Sequence, residues 1–183
     1  MALVGLKDIH VALLSEDRTY ETPKKLAPAI TANITPNTTQ ATLYGDDRAV
    51  ETAESMGDVD VEINVTDLST ADYAFLLGKT VNSDGVVEDN SDDVAPYVAL
   101  GFSAQKSNGA SRYIWLYKGK FSIPTDSHQT KGESVEFQTS TIAAKFVARE
   151  DGKWRARVDS DDSGVSEDVI DNWFDAVYEP TTP

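Results

Sequence analysis

Residues 57–66 read Gly57-Asp-Val-Asp-Val-Glu-Ile-Asn-Val-Thr66, and this stretch decides the fold class. Apolar and polar side chains alternate along it, which is the period of a β-strand with one buried face. The apolar face carries Val59, Val61, Ile63 and Val65, and the polar face carries Asp58, Asp60, Glu62 and Asn64. Like-facing side chains on a strand lie about 7 Å apart. The carboxylates therefore repel one another, and solvent, a cation or a use for negative potential must compensate.

Strand patterns recur along the rest of the chain. The predicted strands are Lys7–Leu14, Gln40–Tyr44, Val59–Thr66, Val94–Ala104, Ser111–Phe121, Glu133–Arg149 and Trp154–Val158. Turn signals occur at Gly45-Asp46-Asp47, Lys106–Gly109 and Glu150–Lys153, of which the last two predict hairpins. The Thr-, Pro- and Lys-rich segment Ser15–Pro36 is expected to be an extended loop or arm, and Ala49–Met56 is ambiguous.

Two short helices are predicted beside these strands. The first spans Ser69–Gly78, with Ser69 as N-cap, Asp72 in the first turn and Gly78 at the stop. The second begins at Ser166 and places an apolar stripe on one side: Val169, Ile170, Trp173, Phe174 and Val177. This stripe either folds back on the core of its own chain or docks on a neighbouring subunit. The whole pattern predicts an all-β sandwich or barrel with one or two accessory helices.

The composition of the 183 residues is that of an ordinary globular chain, with 40% hydrophobic residues. This length predicts a single domain or a domain with arms.

Asp and Glu outnumber Lys and Arg by 31 to 16, which gives a formal charge of −15. A module that grips DNA needs a basic face, so the charge argues against that class. Because cysteine is absent, disulfides, thiolate nucleophiles and thiolate metal sites are excluded.

The sequence carries no catalytic or cofactor motif that we can recognise. His10 and His128 are isolated from triad or ligand partners. The acidic turn Asp159–Gly164 resembles the start of a calcium loop, but Ile170 stands where a bidentate Glu is required. We therefore predict a protein that is not an enzyme and has no catalytic, cofactor-binding or metal-binding residue.

The sequence also gives no sign of a membrane protein or a secreted one. No stretch approaches the roughly 20 apolar residues of a membrane helix. The N-terminus lacks the features of a signal peptide. We expect a soluble chain that is made without secretion.

Charge is distributed unevenly along the chain. The segment Asp46–Glu62 contains seven acidic residues and one basic residue, Arg48. The basic segment contains Lys145, Arg149, Lys153, Arg155 and Arg157 with only Glu150 and Asp151 as acids. In a monomer both segments would be solvated faces. In a ring of identical subunits, the acids of one copy would meet the bases of the next.

Four segments together resemble the major tail protein family of siphophages, which forms the tube of long, non-contractile phage tails. They are Val4–His10, Leu43–Asp47 followed by Glu51, Ala95–Phe102 and Tyr113–Phe121. The resemblance extends from Val4 to about Val158. It implies a β-sandwich or barrel domain over residues 1–165 with an N-terminal arm and a long loop, followed by a C-terminal helix and arm over residues 166–183.

The resemblance also implies how such a subunit works. Hexameric rings stack into a tube around the tape measure protein, join the tail terminator and distal tail proteins, and let viral DNA leave through the lumen. Assembly would occur in the host bacterial cytoplasm, and the product would belong to the virion tail. The candidate arms that join rings are Met1–Leu6, part of Thr19–Pro36 or Ala49–Met56, and Ser166–Pro183.

A tube that conducts DNA should present carboxylates to the lumen, because an attractive wall would hold the phosphates. We therefore expect Asp58, Asp60 and Glu62 to face the lumen, although an outer-surface position stays open. The rival interpretation is a β-sandwich binding module that does not assemble and that grips a carbohydrate or a protein with its loops. Trp115, Trp154 and Trp173 could serve a sugar platform, but their predicted strand and helix positions favour the core.

Overall fold

The computed structural model describes residues 2–126, 128, 130 and 139–180, and these form eight strands and two short helices. The strands are β1 Leu3–Leu13, β2 Lys24–Lys25, β3 Ala29–Gly45, β4 Arg48–Val65, β5 Val98–Lys106, β6 Ser111–Phe121, β7 Ser140–Phe146 and β8 Arg155–Asp159. The helices are α1 Thr70–Leu77 and α2 Glu167–Asp171. All strand pairs are antiparallel. The predicted all-β fold with short flanking helices is confirmed.

The strand order in the sheet is β2-β1-β5-β6-β7-β4-β3, and β8 pairs with β6. Strand β6 is the branch point. Its residues Arg112–Leu116 pair with β8, whereas Gly119–Phe121 pair with β7. The two halves of β6 therefore pair with different strands along the same edge of β6.

The sheet curls around one main core. Ile9 and Val11 of β1 share this core with Val59, Val61 and Ile63 of β4, although the two strands lie far apart in the strand order. Val59–Val65 show the predicted alternation, since the apolar residues are buried and their neighbours are exposed or half-buried. Burial of this apolar face is the main force that closes the fold.

Helix α1 lies where the sequence predicts it and packs against the main core. The hydroxyl of Ser69 accepts a hydrogen bond from the Asp72 amide at 3.1 Å, and Gly78 ends the helix with φ +67°. Leu76 and Leu77 are buried in the main core. The caps therefore fix where the helix starts and stops, and the apolar residues fix which side faces inward.

Two aromatic rings lie directly over glycines of neighbouring strands. Gly101 is paired with Trp115, and Gly119 is paired with Phe146. A Cβ on Gly119 would lie 2.5 Å from Phe146 Cγ, and a Cβ on Gly101 would lie 2.6 Å from Trp115 Cζ3. Only glycine leaves room for these rings.

Strands β3 and β4 form a long hairpin whose outer part extends beyond the other strands of the sheet. The hairpin turns at Asp46 and Asp47, whose φ values of 51° and 57° suit a two-residue turn of the primed type. β7 pairs with β4 only over Val59–Val65. Residues 38–56, which we call the ribbon, therefore extend beyond β7 for about 25 Å as two paired strands.

The ribbon and its base correct two sequence predictions. Residues 29–36, expected to belong to a loop or arm, form the first part of β3, because Ile30, Thr31, Ile34 and Thr35 favour extended backbone. Pro36 is tolerated there because β3 is an edge strand. The ambiguous segment Ala49–Met56 is a strand that pairs with β3.

Two further strand predictions differ from the structure. The turn at Glu150–Lys153 exists, but β8 pairs with β6 and not with β7, so the predicted second hairpin is wrong. The side chains Val158 and Ala156 cover the aromatic side of β6, which explains this choice of partner. Of the predicted strand Glu133–Arg149, Ser140–Phe146 form β7 and residues 147–149 lie beyond its end, whereas residues 133–138, with Val135 and Phe137, lie outside the described residues.

Candidate assembly surfaces

The predicted row of acids lies on the outer face of β4, opposite the core. Lys145 of β7 is the cross-strand neighbour of Asp60, and its Nζ lies 2.5 Å from Asp58 Oδ2 and 3.2 Å from Asp60 Oδ1. The Asn37 amide donates to both carboxylates, at 3.0 and 2.8 Å. The structure therefore brings an acid and a base predicted for different subunits together within one chain.

These contacts lower the pKa of both carboxyl groups. For Asp58 the hydrogen bond from Lys145 is the main cause and Asn37 the second, and for Asp60 their order is reversed. Both groups therefore stay ionised down to lower pH than free carboxyls. Glu62 is exposed and forms no ion pair with any described residue. The acids outnumber the base in this row, so it stays negative.

The five residues of the predicted basic patch fall into two groups. Lys145 and Arg149 are paired with carboxylates, and Lys153 lies 3.7 Å from Asp151. Arg155 and Arg157 of β8 form no ion pair within the part of the chain that the structure describes. Burial lowers the pKa of Arg155 most, followed by the positive charges of Arg157 and Arg112. Positive charge therefore accumulates on β8.

The apolar C-terminal stripe packs on the outer side of its own sheet. We call residues 166–180 the C-terminal segment. Trp173 and Val177 are buried there beside Trp115 and Tyr117 in a second core, with Val169 and Phe174 half-buried around them. Ile170 is also half-buried but makes no contact with that core.

Polar contacts hold the C-terminal segment in place. Trp115 Nε1 donates to the Trp173 carbonyl, and the Tyr117 hydroxyl donates to the Tyr178 carbonyl, both at 3.0 Å. Arg149 binds the Glu179 carboxylate and lies 4.4 Å from the centre of the Tyr117 ring. These contacts hold the C-terminal segment against the aromatic side of β6.

The N-terminal residues expected to form an arm are also engaged within the chain. Leu3, Gly5 and Leu6 pair with β5 as the first part of β1. Leu3 and Val4 are nevertheless exposed. Of the candidate joining segments, Ala49–Met56 is the one that, as part of the ribbon, extends beyond the rest of the sheet in the described residues.

One cluster of charges has no counterpart in the sequence predictions. Lys118 and Lys120 of β6 place their Nζ atoms 4.8 and 4.4 Å from the centre of the Tyr97 ring. We call these three residues the Tyr97 cluster. The spacing Lys118-Gly-Lys120 on one strand is the signal that could have indicated it, because alternate residues share a face.

Neither the groove beside Tyr20 nor the acidic turn forms a catalytic arrangement in the described ranges. A groove of about 550 Å³ is bordered by Tyr20, Arg149 and Val177, and its arginines Arg18 and Arg149 are already paired with carboxylates. Asp159, Asp161 and Asp162 lie close together, but Arg112 and Lys106 bind Asp159, and Lys106 and Asn108 bind Asp161. The carboxylates of Asp159 and Asp161 are therefore already engaged by groups of their own chain.

The aromatic residues give no sugar platform in the described ranges. Trp115 and Trp173 are buried, and Arg155 lies over the half-buried Trp154 at 4.4 Å. Over the same ranges, no helix has the length and apolar character needed to cross a bilayer.

An antiparallel β-fold with a projecting ribbon and a C-terminal segment packed on its own sheet suits a structural subunit. Comparison with family models agrees with this class. The model described as phage tail tube protein matches residues 14–170, and the chain belongs to this family. No curated protein matches the chain. Membership confirms the resemblance, and it makes the chain a structural protein of the virion tail that assembles with copies of itself and with other tail proteins.

Proposed function

We propose that this chain forms stacked hexameric rings that build the tube of a long, non-contractile phage tail. The tube would surround the tape measure protein, end at the tail terminator and distal tail proteins, and conduct viral DNA during ejection. The observation that carries this proposal is the ribbon in a chain of the tail tube family. It exposes Leu43, Tyr44 and Val50 at 62%, 71% and 61%. Exposed apolar side chains gathered on a projection are typical of an interface with another molecule.

The charges support a heterologous contact between neighbouring subunits. Arg155 and Arg157 carry charge that the described part of their own chain leaves unneutralised, whereas Lys145 and Arg149 are already paired. We infer that these two arginines face acidic residues of the next subunit. A contact between unlike surfaces generates rings or filaments when it is repeated by rotation.

The acidic row on β4 supports a lumen lining. Its face carries Asp58, Asp60 and Glu62 together with short polar residues of β3, among them Asn33 and Thr35. Such a face offers DNA little to bind, because its net charge repels phosphate. Screening over about 8 Å at physiological salt limits this repulsion to the lining itself.

Electron microscopy tests this proposal. The purified, concentrated chain is imaged by negative stain, alone and with the distal tail proteins as a nucleus. We expect tubes or stacked rings with six-fold end views. Persistent monomers under both conditions would contradict the proposed function and favour a binding module that does not assemble.

A further inference from the structure

The Tyr97 cluster concentrates positive charge that the described residues do not neutralise. Lys118 and Lys120 direct their ammonium groups to one ring, and neither forms an ion pair within the described ranges. Each cation–π contact attracts one ammonium group to the face of the ring. Repulsion between the two ammonium groups opposes this attraction. The Tyr97 ring is 40% exposed, so a partner can reach it.

The neighbouring strand increases the need for an outside anion. Lys120 is the cross-strand partner of Lys145 on β7. Lys145 is already held by Asp58 and Asp60, so these carboxylates are engaged next to the cluster and not at it. Two uncompensated lysines beside an exposed aromatic ring thus stand out in a chain with a net charge of −15.

The ribbon has the complementary chemistry. Its acids are Asp46, Asp47, Glu51 and Glu54, and none of them forms an ion pair with a described residue. Leu43 and Tyr44 beside them are exposed. A segment with both carboxylates and apolar side chains fits a surface with both ammonium groups and an aromatic ring.

We propose that the Tyr97 cluster is the docking point for the acidic ribbon of a second copy of this chain. This inference rests on the proposed function, because it names the acceptor surface for self-assembly. A second molecule must supply the acid, since none of the described ribbon carboxylates pairs with these lysines within its own chain.

Charge reversal provides the first test. Lys118 and Lys120 are half-buried, so circular dichroism and thermal melting first establish that the double variant Lys118→Glu and Lys120→Glu keeps its fold. The protein concentration needed for tube formation should rise about tenfold or more, which corresponds to 1.4 kcal/mol or more per contact. Lys7→Glu is the control for charge reversal on another strand, since Lys7 is exposed and forms no described ion pair, and it should assemble normally. Adding Glu51→Lys and Glu54→Lys to the double variant should restore assembly.

Cross-linking provides the second test and uses the absence of native cysteine. Chains carrying Lys120→Cys are mixed with chains carrying Glu51→Cys and treated with a short bismaleimide. A mixed dimer that appears only under assembling conditions, and not with Lys7→Cys, supports the contact. Normal tubes from the charge-reversed variant, without this cross-link, would overturn the inference and leave the proposed function intact. Failure of the unmodified chain to form tubes would overturn both.

Discussion

At the scale of single residues, two glycines are as important for the fold as any apolar side chain. Gly119 leaves room for Phe146, which is fully buried in the main core. The sequence shows both residues but not their pairing, because that depends on which strands become neighbours. The contact between an aromatic ring and a glycine on the neighbouring strand therefore cannot be predicted from the local sequence.

The variant Gly119→Ala tests this packing. The added Cβ would lie 2.5 Å from Phe146 Cγ, and the ring is fully buried. We expect a loss of about 1 to 3 kcal/mol in the free energy of unfolding, as for other overpacked cores. Gly5→Ala is the control, because its Cβ would meet Gln105 Cβ at an ordinary 3.9 Å. Urea denaturation measures both, and equal stabilities would contradict the packing argument.

Asp159 organises a charged network at the end of β8. Its carboxylate accepts hydrogen bonds from Arg112 at 2.6 and 2.8 Å and lies 2.7 Å from Lys106 Nζ. Mainly because of Arg112, the pKa of Asp159 is far below its usual range. A lowered pKa in the folded state stabilises the protein above the unfolded pKa of about 4. This stabilisation is lost progressively as the pH falls below that value.

We expect Asp159→Asn to lower the free energy of unfolding at pH 7 by about 3 kcal/mol, because it leaves Arg112 without its carboxylate partner and Lys106 with Asp161 alone. The unfolding free energy of this variant should also change less than that of the unmodified protein as the pH falls below 4. Asp162→Asn, in the same turn but without an ion pair in the described ranges, should behave like the unmodified protein. Parallel pH profiles for all three proteins would refute the role of Asp159.

At the scale of elements, the sequence predicts best where local signals are strong. The alternation over Val59–Val65 and the caps of α1 are both confirmed, since each depends on neighbouring residues alone. β3 was predicted only in part, because its exposed threonines and asparagines resemble those of a loop. The pairing of β8 with β6 depends on aromatic packing between distant segments, which no local pattern encodes.

The candidate surfaces show the same division. Charge counts along the chain indicate the acidic and basic segments, but not that Lys145 is bound by Asp58 and Asp60 of its own chain. The spacing of Lys118 and Lys120 shows that the two lysines share a face of β6. Their contact with Tyr97, the residue before β5, forms only in the folded sheet. Its predicted use by a second copy stays a matter for experiment.

The ribbon can be removed without designing a new turn. Deleting residues 38–56 joins Asn37 to Gly57, and Asn-Gly is the preferred pair for a two-residue hairpin turn. We expect this variant to keep its melting temperature within a few degrees, because the ribbon adds little to the core. It should fail to form tubes, as judged by microscopy and sedimentation. The control Thr42→Ser keeps the acidic and apolar side chains of the ribbon and should form tubes, whereas tubes from the deletion variant would contradict a role for the ribbon.

At the scale of the whole molecule, the proposed function requires the acidic row on β4 to line the passage for DNA. Glu62→Lys tests the lumen assignment without disturbing the Lys145 pairs. We expect virions with normal tails but slower DNA ejection, because a cation in the lining holds phosphate. Thr31→Lys, on neighbouring β3, serves as a comparison for added charge on the same face. Ejection at the normal rate from Glu62→Lys virions would refute the lumen position.

The central claim is that copies of this chain join through unlike surfaces into a tube whose lining carries the β4 acids. A cryo-electron microscopy reconstruction of tubes from the purified chain tests it most directly. We expect six-fold symmetry, with Asp58, Asp60 and Glu62 on the inner wall and the ribbon of each subunit bound to another subunit. A tube with these acids on its outer surface and its ribbons free in solvent would contradict it.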